Sequence, residues 1–211
     1  RETWKETITR SVEYNVGLGV KHMKKIGIPV DVAMVREEAQ KLFDAEFNLE
    51  QSLSGRTKWV GGAEGGLAEK YPFANFNCSF LNIDVGYDLC DLFYALLVGT
   101  GAGFKSTLEM ASAMVPIRMD IEIKHLPYIG KLMHLERSVL RDVGESTVMI
   151  SVGDSKEGWV DSLRLFLDVF TKEEYDHVTE IQLDYRHVRE KGSRLKGFGG
   201  TASGPSPLRD M

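Results

Sequence analysis

Thr147-Val148-Met149-Ile150-Ser151-Val152, then Gly153-Asp154-Ser155-Lys156-Glu157-Gly158-Trp159, then a run through Leu163, Phe166, Leu167 and Phe170 form the stretch that decides the fold class. β-Branched residues crowd the first segment, as a pleated, half-buried strand favours. The second is a turn with a capping-box pattern, in which Asp154 is the expected N-cap and Glu157 reaches back from the third helical position. The third spaces apolar residues by three and four and so gathers them on one helix face. A second strand, Glu180 to Tyr185, follows. Parallel strands need a crossover of a dozen or more residues, so this order predicts an α/β layer or barrel with parallel pairing.

Upstream, Trp4, Ile8, Val12, Val16 and Val20 recur every fourth residue and predict a helix that Gly27 and Pro29 break. A second helix over 32–47 sets Val35, Ala39, Leu42, Phe43 and Phe47 opposite Arg36, Glu37, Glu38 and Lys41. Ser54-Gly55-Arg56-Thr57 reads as a turn, and Gly61, Gly62, Gly65 and Gly66 as a loop. Phe76 to Val85 reads as an extended segment containing Cys78. Leu89 to Val98 is so rich in apolar residues that a mostly buried helix is expected, ended by Gly99-Thr100-Gly101-Ala102-Gly103-Phe104. No internal repeat is evident.

The 211 residues are 43% hydrophobic and 27% charged, an ordinary globular composition that fits one large domain or two small ones. A net charge of -5 argues against nucleic acid or an anionic membrane as the main partner, while small anions bound at a local basic patch remain open. No apolar run is long enough to span a bilayer and the first residues lack a signal-peptide core, so the chain reads as cytoplasmic. It begins at Arg1 without Met and stops at Met211 just after a glycine-rich loop, which suggests part of a longer polypeptide. Cys78 and Cys90 are the only cysteines, too few for a disulfide scaffold and not spaced for zinc. The five histidines show no ligand spacing, and no metal site is expected.

Four constellations can carry chemistry. Cys78, between Asn77 and Ser79, either packs as a small hydrophobe or faces a cavity; Cys90, among Leu92, Phe93 and Leu96, reads as buried. Gly99 to Gly103 resembles a dinucleotide fingerprint but follows a helix instead of a strand, which leaves either close backbone approach to a ligand or a glycine C-cap. Asp154, Ser155, Lys156 and Glu157 are explained by capping alone, yet a helix N-terminus also suits phosphate or ribose groups. The run Gly197-Phe198-Gly199-Gly200-Thr201-Ala202-Ser203-Gly204-Pro205, preceded by Arg186, Arg189, Lys191, Arg194 and Lys196, reads as a loop built against a ligand or as a flexible linker with a solvated basic face.

The ordered set Gly55-Arg56-Thr57-Lys58-Trp59, Asn77-Cys78-Ser79-Phe80, Gly99 to Phe104, Val152 to Trp159, Asp184-Tyr185-Arg186 and Gly197 to Pro205 resembles class II ribonucleotide reductases, above all their monomeric, adenosylcobalamin-dependent triphosphate branch. That resemblance implies N-terminal helices over 1–60 and, over 61–211, the first half of a ten-stranded α/β barrel with an inserted helical effector-binding region. It gives Cys78 the role of one of two cysteines that supply reducing equivalents. It suggests substrate contacts at Asn77, Ser79, Gly101, Ala102 and Gly103. It also suggests effector and specificity roles for Asp154, Ser155, Lys156, Glu157, Trp159, Gly199, Gly200, Thr201, Ala202 and Ser203.

The resemblance further implies adenosylcobalamin as cofactor, a ribonucleotide substrate, a deoxynucleotide effector, a thioredoxin-type reductant and a missing C-terminal half of the barrel. The radical-bearing cysteine, its glutamate and the disulfide partner of Cys78 would lie in that half, so this stretch alone is expected to be inactive. A nucleotide-binding regulatory module and a split-gene half-barrel are the alternatives.

Overall fold

The computed structural model describes residues 2–195 and 199–211. They fall into two compact units, Arg1–Asn77 and Cys78–Met211. In the first, α1 (Trp4–Lys25) opens with a full capping box between Thr3 and Glu6, and α2 (Val32–Phe47) opens on Asp31, whose carboxylate accepts from the amides of Ala33 and Met34. Both helices keep the limits that periodicity predicts, and they pack on each other. Ile8 and Val12 are buried and Val35, Ala39, Leu42 and Phe43 half-buried, whereas Phe47 at the helix end is 41% exposed.

Ser54-Gly55-Arg56-Thr57 is not a turn. It begins a short helix, α3 (Gly55–Val60), because Ser54 Oγ accepts the Thr57 amide and so caps a first turn. A one-turn helix, α4 (Leu67–Lys70), and a 3-10 turn (Pro72–Asn75) complete the unit. Glu46 on α2 is wholly buried, yet it is not orphaned: it accepts the Leu53 amide and lies 2.9 Å from Lys58 Nζ.

The second unit is α/β. β1 (Cys78–Asn82), α5 (Asp88–Leu97) and β2 (Gly101–Lys105) form a parallel crossover, with α5 packed on both strands. After α6 (Leu108–Ala113), a second sheet has the order β3-β6-β5-β4, from β3 (Glu122–His125), β4 (Val139–Asp142), β5 (Thr147–Ser151) and β6 (Glu180–Asp184). Its β3-β6 and β6-β5 pairs are parallel, and β4 joins antiparallel. α7 (Lys156–Thr171) is the β5-to-β6 crossover. Its Val169 and Phe170 pack with Val148, Ile150, Val152, Val178 and Ile181 in one core, which Leu208 of α8 (Ser206–Arg209) closes. Each such side chain contributes about 1.5–3 kcal/mol by leaving water.

α5 is less buried than its composition predicts. Cys90 and Ala95 are sealed, but Leu89 and Leu96 are 39% and 52% exposed, because strands and α7 cover only part of its circumference. The residues after α5 supply the glycine C-cap that the sequence allows. Gly99, at φ 83°, ends the helix with paired bonds, its amide to Leu96 O (2.9 Å) and the Thr100 amide to Ala95 O (3.0 Å), a Schellman cap. Gly101 to Gly103 is then a strand and no longer part of a loop.

Candidate functional site

Cys78 is the first residue of β1 and is exposed, in parallel register with Gly101; Ser79 pairs with Ala102 and Phe80 with Gly103. Alternation along β1 places Cys78 and Phe80 on its exposed face and Ser79 and Leu81 on the half-buried one. Gly101 puts no side chain beside the Cys78 thiol. Ser79 Oγ is buried without a hydrogen-bond partner. Asn77 accepts from Arg56 Nε at 3.0 Å, and the Arg56 guanidinium lies 5.1 Å from the centre of the Trp59 ring. Cys90 differs in kind: it is fully buried in α5, and burial, only partly offset by nearby Arg164, pushes its thiol pKa up.

The turn from β5 into α7 corrects one expectation. Asp154 does not cap α7; Ser155 does, its Oγ accepting the Gly158 amide at 2.8 Å while donating to Glu136 O at 2.6 Å. The Asp154 carboxylate points away from the helix and accepts from Lys131 Nζ (2.7 Å), Arg189 Nε (2.8 Å) and the Arg189 amide (3.2 Å). Burial alone would raise its pKa, but the bonds from Arg189 and Lys131 outweigh it and hold the group below the ordinary aspartate value. A Cβ on Gly153 or Gly158 would lie 2.5 Å from Glu136 O, so the glycines are required by packing against residues 136–137. Lys156, Glu157 and Trp159 stay half-buried on the first turns of α7.

The basic stretch after β6 is not simply a solvated face. Arg186 forms a forked pair with buried Asp184 (2.8 and 2.9 Å), and Arg189 holds Asp154. Beyond it the chain folds back on itself: Gly192 N–H donates to Ala202 O (2.9 Å), Ala202 N–H to Ser193 O (2.8 Å) and Leu195 N–H to Gly200 O (3.0 Å). Gly199 and Gly200, at φ 76° and 80°, sit at its exposed end with Thr201, while Ala202 is buried. Ser203 Oγ donates to its neighbour Gly204 O at 3.2 Å. These bonds tie residues 192–195 to 200–202. Lys196, Gly197 and Phe198 lie outside the described residues.

Geometry therefore brings Cys78 together with Gly101 to Gly103, and Asp154 together with the segment that leads to 199–203. Sequence reasoning missed Lys131 as a partner, and nothing in its spacing marks it. Arg186 was legible in hindsight, because a strand-end Asp followed two residues later by Arg can close a local fork. A further pair, His125 Nδ1 and buried Tyr185 OH at 2.9 Å, joins β3 to the end of β6, and burial pushes the Tyr185 pKa up to about 12. Among the described residues no group of three or more His, Cys, Asp or Glu is arranged to hold a metal, and no helix is long and apolar enough to cross a membrane.

Residues 132–211 match the family model described as the insertion domain of B12-dependent ribonucleotide reductase, and residues 1–63 match the ribonucleotide reductase alpha domain. Proteins named adenosylcobalamin-dependent ribonucleoside-triphosphate reductase align with the whole chain: that of Lacticaseibacillus paracasei at 28% identity over 32% of its own length, and that of Euglena gracilis at 27% over 26%. The chain thus spans about a third of the curated relatives it matches. A crystal structure of a B12-dependent (class II) ribonucleotide reductase superposes on 98% of this chain and 32% of its own with a TM-score of 0.72 at 24% identity, a likeness of fold. Models of ribonucleotide reductase domains on two separate stretches, and relatives of one name along the full length, point the same way: this chain is similar, from end to end, to the N-terminal part of B12-dependent ribonucleotide reductases.

Proposed function

We propose that this chain works as the first half-barrel of a cytoplasmic adenosylcobalamin-dependent ribonucleoside-triphosphate reductase. The observation that carries the reading is the contrast between its two cysteines: Cys78 is exposed at the head of β1 beside Gly101, and Cys90 is sealed. Cys78 and a second cysteine outside this chain give up two electrons and two protons, forming one S–S bond. The substrate's 2′ C–O bond breaks, a C–H bond replaces it, and the oxygen leaves as water. A thioredoxin-type dithiol then returns the disulfide to two thiols. Asn77, Ser79 and the backbone of Gly101, Ala102 and Gly103 line the substrate side.

Asp154, Ser155, Lys156, Glu157 and Trp159, with Gly199, Gly200, Thr201, Ala202 and Ser203, carry the deoxynucleotide effector response. The outer edges of β1 and β2 take further strands from the rest of the barrel, since a two-stranded sheet leaves a row of unpaired N–H and C=O groups on each outer edge.

Adenosylcobalamin supplies the radical that starts the reaction. Two open grooves of the described residues do not fit it, since they run along charged helix faces, one lined by Glu37, Glu38 and Lys41, the other by Lys5, Glu6, Arg10 and Glu13. The cofactor is therefore assigned to the remainder of the enzyme, and no step of this chain's residues runs through it.

The test is adenosylcobalamin-dependent reduction of a ribonucleoside triphosphate by the full-length protein with a thioredoxin system, in wild type and Cys78→Ser. Turnover should require the cofactor and collapse in the variant while nucleotide binding persists. Undiminished turnover in Cys78→Ser refutes the redox role, and nucleotide binding without turnover in wild type points to a regulatory module.

A further inference from the structure

We infer that Arg56 is a positioning residue for the Cys78 thiol: by holding the Asn77 carboxamide it fixes the peptide from which the cysteine projects. This rests on the reading of Cys78 as one of two cysteines that supply reducing equivalents.

The anchor follows from local sequence. Ser54 caps α3 through the Thr57 amide (3.1 Å) and so sets Arg56 in the first turn, three residues before Trp59. Residues three apart share a helix face. The Arg56 guanidinium accordingly lies 5.1 Å from the centre of the Trp59 ring, and its Nε donates to Asn77 Oδ1 at 3.0 Å. Nη1 is shielded from solvent. An arginine stacked on an aromatic ring has a pre-organised fork, so its hydrogen bond needs little further ordering.

α3 is itself pinned. Arg10 of α1 donates to Lys58 O (2.7 Å) and to Gly61 O, while Lys58 Nζ lies 2.9 Å from buried Glu46 of α2 and 5.2 Å from the centre of the Trp4 ring. The chain ahead of β1 is also fastened at Asn75, whose Nδ2 donates to Ala68 O (3.2 Å) and Pro72 O (3.1 Å). Asn77 is exposed and precedes the first residue of β1, where neither a packed core nor the strand register takes hold. The bond from Arg56, 21 residues upstream, supplies the restraint there.

A disulfide forms only within a narrow range of sulfur geometry, and two thiols held in that range react at an effective concentration far above that of free thiols. Freeing Asn77 widens the positions that Cys78 samples and lowers this effective concentration.

The experiment uses the full-length protein without cofactor, equilibrated in glutathione buffers of graded redox ratio. Oxidation joins the sulfur of Cys78 to that of the second cysteine; two electrons and two protons pass to glutathione disulfide, which splits into two thiols. Mass spectrometry after alkylation counts the bridged fraction. Arg56→Met and Asn77→Ala should each lower the equilibrium constant for bridging about tenfold, which is a rise of about 30 mV in potential. The double variant should match the singles. Trp59→Leu removes the platform and keeps the donor, so it should fall between wild type and Arg56→Met. In turnover with adenosylcobalamin and a thioredoxin system, kcat should fall in both single variants while KM for the ribonucleoside triphosphate stays within about 2-fold. Asn77→Ala, at an exposed position, keeps the test decisive if Arg56→Met fails to fold.

A raised KM with kcat kept in Arg56→Met overturns the inference in favour of a direct grip on substrate. Wild-type potentials in both single variants, or additive shifts in the double, overturn it as well. A wild-type protein in which Cys78 never enters a bridge overturns the redox reading itself, and that result is seen before any variant is compared.

Discussion

Replacing Gly153 by alanine tests whether the β5-to-α7 turn is as tightly seated as the geometry says. An added Cβ would stand 2.5 Å from Glu136 O, 2.7 Å from the Arg137 carbonyl carbon and 2.8 Å from the Glu136 carbonyl carbon. All three are backbone atoms, so no side chain can swing away. Relief requires residues 136–137 to retreat from the bonds that Ser155 Oγ makes to Glu136 O (2.6 Å) and Ser138 Oγ makes with the Gly153 amide (2.9 Å). Overpacking costs about 1–3 kcal/mol and each weakened hydrogen bond about 1 kcal/mol, which together place the loss near 3 kcal/mol.

At about 2–4 °C per kcal/mol for a chain of this size, Tm should fall by roughly 6–12 °C. The assay is a thermal melt of the 211-residue chain by circular dichroism, with amide exchange on β5 and α7 to locate the effect. Gly86→Ala, with no atom within 4 Å of its Cβ, should stay within about 0.5 kcal/mol of wild type. Gly19→Ala, equally open in the middle of α1, should gain about 0.5–1 kcal/mol. A Gly153→Ala chain that melts with the Gly86→Ala control would refute the steric reasoning.

Two further outcomes follow from the cysteines and the buried carboxylates. In the folded chain one thiol should react rapidly with a maleimide and prove by mass spectrometry to be Cys78, with Cys90 modified only after denaturation; two equally fast thiols would contradict the burial of α5's inner face. Asp154 and Asp184 are both held below the ordinary aspartate value, burial opposing and the hydrogen bonds from Arg189 with Lys131, and from Arg186, prevailing. Their contribution is therefore complete above the unfolded pKa of about 3.9 and lost as pH falls through the lower folded value. Asp184→Asn should lower stability at pH 7 and flatten the acid limb of a denaturation series; an unchanged limb would show that the fork to Arg186 contributes nothing.

The elements with a strong period are legible in the amino-acid sequence itself. α1 and α2 are long enough for four apolar rows to outweigh local noise, and β5, α7 and β6 combine β-branched strands with a helix of clear apolar face. β3 and β4 are not, because Glu122-Ile123-Lys124-His125 is an exposed edge and Val139-Leu140-Arg141-Asp142 shows no alternation. Asp154 misleads for a physical reason. Asp and Ser both favour N-caps, and the choice between adjacent candidates is settled by two cations that come from 23 residues before and 35 after. The same holds for Cys78, whose exposure depends on the glycine placed beside it by a crossover, a relation of register that composition does not contain.

The sheet order has a consequence for synthesis. β3 takes its partner from β6, with Glu122 opposite Glu180, so its hydrogen-bonding edge leaves the ribosome 58 residues before the strand that will cover it. At roughly 5–20 residues per second that interval is about 3–12 s, far longer than a hairpin needs to form. During it β4 and β5 can zip together, since they are antiparallel and adjacent in sequence, but β3 must wait. Glu122 and Lys124 on that waiting edge place charge where an apolar strand would invite a second nascent chain. The exposed, charged character that hides β3 in its sequence is thus what lets it emerge early and remain unpaired without harm.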